Sequence, residues 1–239
     1  MARFNEHTVK AFDEDLNRLR GLISEMGGRA EQALLQAMSA LTSGDLELAA
    51  KVVEGDKKID ALETEVEQLA VQTLALRAPM ADDLREMIAA LKIVSVVERI
   101  GDYAKNIAKR VALMERARSI EAIPVLTSMS SLVAELIHDA LDSFAARDAE
   151  LAVRVTVRDR NVDDFYNSIF RTLVTFMMEN PRRITESAHL LFVAKNLERM
   201  GDHATNIAEM VYYAVTGARM EERERGQQPE DGAAGAEQG

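Results

Sequence analysis

Glu98 and Asp102 stand four residues apart, and Glu198 and Asp202 repeat that spacing one hundred positions later. The surroundings repeat too: Glu98-Arg-Ile-Gly-Asp102-Tyr-Ala-Lys-Asn106-Ile-Ala108 returns as Glu198-Arg-Met-Gly-Asp202-His-Ala-Thr-Asn206-Ile-Ala208. A second acidic pair precedes each copy, Asp56 and Asp60 ahead of the first and Asp159 and Asp163 ahead of the second. Side chains four apart on a helix share one face. Carboxylates gathered on one face repel and raise one another's pKa unless cations intervene. Hard divalent or trivalent ions accept such oxygens, so iron, manganese, magnesium or calcium are the candidate cofactors. The eight acids are the candidate metal ligands.

The plainer reading makes these acids solvated helix faces paired with Lys57, Lys58, Arg99 or Lys105. On a helical wheel Glu98 and Asp102 lie opposite the apolar seam of Ile93, Val97, Ile100, Ala104 and Ile107, so any site is expected on the surface. Position within the chain argues for something more. Residues 56 and 102, like 60 and 98, are equidistant from Pro79; residues 159 and 202, like 163 and 198, are equidistant from Asn180-Pro181. An antiparallel hairpin turning at each proline sets each group of four carboxylates level on adjacent helices. Gly101 and Gly201, costly by ~1 kcal/mol inside a helix, are expected to admit a close neighbouring helix.

The elements around these acids are duplicated as well. Ala37 to Ala49 aligns with Ala140 to Ala152 at an offset of 103, against 100 for the Glu98 motif, so a connection near Pro181 is three residues shorter. Apolar steps of three and four predict helices over residues 9–41, 46–76, 82–118, 125–146, 149–178 and 184–216. Ser43-Gly44-Asp45 and Arg147-Asp148 break the first pair of helices in each half, and Pro124 marks the boundary between halves. The fold class is all-α, a tandem repeat of two three-helix bundles. The first bundle is expected over 1–120 and the second over 121–220. The stretch 221–239, rich in Glu, Arg, Gln, Gly and Ala, has little to bury and is expected to be a disordered acidic tail.

Composition narrows the function. A formal charge of -11 argues against nucleic acid as the main ligand. No cysteine is present, which removes disulfides and thiolate metal sites and suits a reducing cytoplasm. No signal-peptide pattern opens the sequence and no stretch approaches the ~18 apolar residues of a membrane span, so a membrane is expected to be reached only through partners. Phosphate-binding loops, dinucleotide-binding glycines and Ser/His/Asp groupings are absent. Glu186-Ser-Ala-His189 has the spacing of a di-iron helix, but the first half has no counterpart, so His189 reads as a packing or surface residue. An iron oxidase and a metal-free scaffold are the competing functional readings.

The doubled Glu-Arg-Ile/Met-Gly-Asp-x-Ala-x-Asn-Ile-Ala motif, with Asp-x-x-x-Asp upstream in each half, closely resembles the PhoU family of phosphate-uptake regulators, from about Val9 to Thr216. The resemblance implies two three-helix bundles side by side and no enzymatic activity. It also implies a cytoplasmic adaptor linking the ATPase of a phosphate ABC transporter to the sensor histidine kinase of the phosphate regulon, as a negative regulator. In some relatives these acidic motifs hold multinuclear metal clusters. Carried over, Asp56, Asp60, Glu98 and Asp102 form one ligand set and Asp159, Asp163, Glu198 and Asp202 the other. A homodimer is the expected assembly, although the residues themselves leave monomer and larger assemblies open.

Overall fold

The structure, a computed structural model, describes residues 2–114 and 122–220. Seven α-helices make up the described residues: α1 (Ala2–Ser43), α2 (Leu46–Arg77), α3 (Asp82–Arg110), α4 (Ala122–Ala146), α5 (Ala149–Arg158), α6 (Arg160–Glu179) and α7 (Ile184–Thr216). Helices α5 and α6 together stand where α2 stands in the first half, so the protein is two copies of a three-helix unit. The breaks fall where turn chemistry demands. Gly44 takes the left-handed φ of 68°, and the Asp45 carboxylate accepts from Leu48 N at 2.9 Å to cap α2. In the second copy Arg147 adopts φ 55° in the glycine's place, and Asp148 caps α5 by accepting from Glu150 N and Leu151 N, each at 2.9 Å. Ala78 and Ala81, both at positive φ, flank Pro79 in the α2–α3 hairpin. A 3₁₀ turn, Pro181–Arg183, makes the α6–α7 hairpin.

Four expectations need correction. The helix read over 149–178 is two, because the ladder tightens at Asp159, where Val162 N bonds Asp159 O at 2.8 Å. No glycine or proline marks that spot, so periodicity alone runs through it. Pro124 does not precede α4 but lies in its first turn, where a missing N–H has no intrahelical acceptor to lose. Helix α1 starts at Ala2, well before residue 9. Helix α3 gives way after Arg110 to a 3₁₀ turn, Val111–Leu113, rather than running to 118. The stretch 115–121 and the tail from 221, expected to be disordered, lie outside the described residues.

Helices α3 and α7 form the centre, each wrapped by the other helices of its own half and packed against the other. Ile93, Val97, Ile100 and Ile107 on α3, and Leu190, Val193, Leu197 and Ile207 on α7, are fully buried. Each such side chain contributes about 1.5–3 kcal/mol of burial. The two helices run antiparallel: Arg110 near the end of α3 meets His189 near the start of α7 at 3.2 Å, while Arg85 at the start of α3 lies 3.4 Å from where a Gly217 Cβ would be. Midway, Tyr103 stacks on His203 with ring centroids 5.5 Å apart and an 18° tilt. These are equivalent positions of the repeat, and a position that meets its own equivalent marks a two-fold axis. The halves therefore face each other about a local dyad through that stack. Helices α1 and α4 also cross between halves, with Gly27 so close to Leu141 that a Cβ would fall 2.1 Å from its Cδ1. Among the described residues, no helix is long and apolar enough to cross a membrane.

Candidate cation-binding faces

The hairpin register deduced from the turn prolines is the register found. Gly101 of α3 sits against Ile59 and Asp56 of α2, and Gly201 of α7 sits against Asp159 and Val162 at the α5–α6 junction. A Cβ on Gly101 would lie 2.8 Å from Ile59 Cδ1 and 3.6 Å from Asp56 Oδ1; one on Gly201 would lie 2.9 Å from Asp159 Oδ1 and 3.2 Å from Val162 Cγ1. Glycine is required at both positions for helix approach. Gly201→Ala should destabilise the fold by about 1–3 kcal/mol, because the obstructing carboxylate is itself buried and has no room to retreat. Gly101→Ala should cost less, since the tip of Ile59 can swing aside. Denaturant midpoints of the two variants measure the difference, and equal losses would contradict it.

In the first face the four acids act on one another. Asp56 is only 6% exposed, Asp60 sits at the exposed edge, and Glu98 and Asp102 are half-buried. Burial, then the charges of Asp102, Glu63, Asp60 and Asp56, push the Glu98 carboxyl up to about 7. Burial and the nearby Asp56 and Asp102 raise Asp60 as well, partly offset by Lys105. The Lys105 ammonium bridges the helices, touching Asp56 Oδ2 on one side and lying 2.5 Å from Asp102 Oδ1 on the other. Burial disfavours that ammonium, yet its bonds to Asp102 and Asp56 hold its pKa above the usual lysine range. Glu63 belongs to the same face, its pKa raised by burial and by Glu67, Asp60 and Asp102.

The second face is built alike but filled differently. Asp159 is 4% exposed against Gly201, Asp163 is exposed on α6, and Glu198 and Asp202 are partly buried on α7. Thr205 takes the place of Lys105, and its buried hydroxyl has no hydrogen-bond partner. A cation comes from another position: Lys195 Nζ lies 2.6 Å from Glu198 Oε1 and 5.3 Å from the Tyr166 ring, and Tyr166 stands where the first half has Glu63. The surface position expected for the whole site is thus corrected for Asp56 and Asp159. Both lie in the seam between helices, because close approach at the glycines draws the neighbouring helix over them.

The donor chemistry fits a hard cation. Every candidate ligand is a carboxylate, and two oxygens, Asp56 Oδ1 and Glu198 Oε2, are buried with no hydrogen-bond partner. As the side chains stand, no three His, Asp or Glu groups among the described residues converge closely enough to hold a metal ion. Lysine ammonium groups supply the counter-charge instead. The spacing argument named the eight acids and passed over Glu63 and Lys195, which share their faces. Glu63, three residues after Asp60, shares its face and was findable; its partner in the repeat is a tyrosine, so a search for doubled acids passes over it.

The three histidines whose side chains are described, His138, His189 and His203, make local contacts. His189 binds Arg110, whose guanidinium also lies 4.4 Å above the Phe192 ring. His203 has its pKa lowered by burial and by the charges of Arg99 and Arg199. His138 meets Glu31 at 3.2 Å beside a cleft of about 430 Å³ between α1 and α4. That cleft's Arg158 is already bonded to Glu135 and, at 2.6 Å, to Asp139.

Known proteins resemble this chain over nearly its whole length. The phosphate-specific transport system accessory protein PhoU homolog of Zymomonas mobilis is 56% identical over 220 residues, covering 92% of this chain and 93% of that protein. The protein of the same name from Caulobacter vibrioides is 46% identical over 216 residues, covering 90% and 94%. The crystal structure of PhoU from Pseudomonas aeruginosa superposes with a TM-score of 0.83 at 39% identity, spanning 87% of this chain and all of that one. The phosphate transport system regulatory protein PhoU from Streptococcus pneumoniae superposes at 0.81 with 27% identity, spanning 87% and 99%. The PhoU domain itself matches twice, over residues 23–111 and 126–211, each match containing one of the acidic faces. The chain belongs to the PhoU family.

Proposed function

We propose that this protein is an accessory regulator of phosphate transport. It acts without catalysis, as a cytoplasmic adaptor between the ATPase subunit of a phosphate ABC transporter and a phosphate-sensing histidine kinase, and keeps the phosphate regulon off when phosphate is plentiful. It does so as a homodimer, and its two acidic faces hold hard cations, iron foremost. The observation that carries this reading is the pair of acidic faces in a chain whose relatives are named for phosphate-specific transport. Partly buried carboxylates above their usual pKa suit metal or basic-partner contact better than idle solvation. Across a protein interface such charge sets partner choice more than raw affinity. The oxidase alternative is weakened because both histidines with Glu-x-x-His spacing, His138 after Glu135 and His189 after Glu186, are engaged elsewhere, His138 with Glu31 and His189 with Arg110.

Deleting the gene should derepress phosphate-starvation genes in phosphate-rich medium. The quadruple variant Glu98→Gln, Asp102→Asn, Glu198→Gln, Asp202→Asn, verified as folded by circular dichroism, should fail to restore repression. Full restoration by that variant would leave the protein a scaffold in which the acidic faces play no part. Elemental analysis of protein purified without a histidine tag reads the metal directly.

A further inference from the structure

We propose that Lys105 is a tethered counter-ion that closes the first acidic face, so that a metal enters only by displacing it. This rests on reading the faces as cation sites, and it concerns what controls their loading. The ammonium bonds carboxylates from two helices, Asp56 of α2 and Asp102 of α3, and only 22% of its side chain is exposed. An ion pair so sheltered is screened less and held more strongly than one in open water. Lys105 also stands where five acids gather: Asp56, Asp60, Glu63, Glu98 and Asp102. One positive charge cannot balance them, and Asp56 Oδ1, buried and without a hydrogen-bond partner, marks the remaining deficit. A divalent ion can supply the missing charge once the lysine swings out, and its four-carbon stem permits that without backbone movement.

The second face makes the contrast. Its repeat-equivalent residue is the neutral Thr205. Its lysine, Lys195, contacts Glu198 on its own helix three residues away, and 41% of that side chain is exposed. The two faces share their acid pattern and differ in the residue that stands at the position of Lys105.

The test uses full-length, tag-free protein stripped with a chelator, titrated with Mn²⁺ by calorimetry. In Lys105→Gln, one class of sites should bind Mn²⁺ at least tenfold more tightly than in wild type, with the other class unchanged. Lys105→Arg, which keeps the cation, should stay near wild type. A second readout is thermal: metal-free Lys105→Gln should melt below wild type, and Mn²⁺ should restore it, because the added ion replaces the lost charge. Equal Mn²⁺ affinity in wild type and Lys105→Gln would overturn the proposal while leaving the faces as cation sites. An unstable Lys105→Gln that Mn²⁺ fails to rescue would also overturn it, making the lysine a structural ion-pair partner. Absence of Mn²⁺ uptake by every variant would bring down the cation reading itself.

Discussion

Arg20→Met should destabilise the protein by about 3–5 kcal/mol, the loss expected when one partner of a buried ion pair is removed. The reason lies at Glu86, a carboxylate only 2% exposed. Arg20 on α1 donates from Nε to Glu86 Oε1 at 2.7 Å, and Arg147, at the α4–α5 turn of the other half, approaches Oε2 at 3.4 Å. The Arg147 contact is long and more exposed, and it leaves Oε2 without a hydrogen bond, so Arg20 is the main counter-charge. Truncating it strands a charge where water cannot reach. For a chain of this size, each kcal/mol moves the melting temperature by roughly 2–4 °C. Glu86→Met added to Arg20→Met should recover most of the loss, since a packed apolar pair is often as stable as the ion pair it replaces. Melting temperatures of wild type, the single variant and the double variant decide it. A loss under about 1 kcal/mol for Arg20→Met would mean that Arg147 or water compensates and that the Arg20–Glu86 pair is not an anchor.

This cluster also helps explain Arg147. It holds a left-handed φ of 55°, in the position where the first half has Gly44 at 68°. That conformation costs a non-glycine residue on the order of 1 kcal/mol. Glycine would relieve the backbone but would forfeit the guanidinium that spans the two halves.

Features set by local spacing were legible in the sequence. Equal distance from Pro79 and from Asn180-Pro181 placed Asp56 beside the Glu98–Asp102 helix and Asp159 beside the Glu198–Asp202 helix, and Gly101 and Gly201 face those partners. Asp45 and Asp148 cap the helices they precede, as short polar residues before apolar runs do. What escaped depends on three-dimensional docking. A wheel drawn for α3 alone puts Glu98 and Asp102 in solvent, because it has no α2 leaning over Gly101. The Tyr103–His203 stack exists only once the halves meet, and nothing in either residue's neighbourhood announces it. Lys195 was invisible for a different reason: it answers to no lysine in the first half, where position 95 is serine. A search by repetition finds what two copies share and overlooks how they diverged.

The acidic faces should also reveal themselves through pH, in chelator-treated protein. The folded state holds the Glu98 carboxyl near 7, against its usual 4.5, so the folded chain keeps that proton over a range where the unfolded chain has released it. Wherever the folded state binds more protons, unfolding free energy falls as pH rises. Stability should therefore decline from about pH 4.5 to about pH 7 and level off above, the ionised Glu98 then being repelled by Asp102, Glu63, Asp60 and Asp56. Asp60 and Glu63, also raised, add to the decline with the same sign. Glu98→Gln removes the titrating group while keeping its shape. Subtracting the wild-type curve from that of Glu98→Gln cancels His138, His203 and the other groups that do not act on Glu98, leaving Glu98 and its coupling to the neighbouring acids. The difference should grow in favour of the variant across that window and then hold constant. Denaturant unfolding at half-unit pH steps gives the curve. A flat difference from pH 4.5 to 7 would mean that Glu98 ionises as it would in water and that the acids are too far apart to act as one face, which would remove the electrostatic basis for cation binding there.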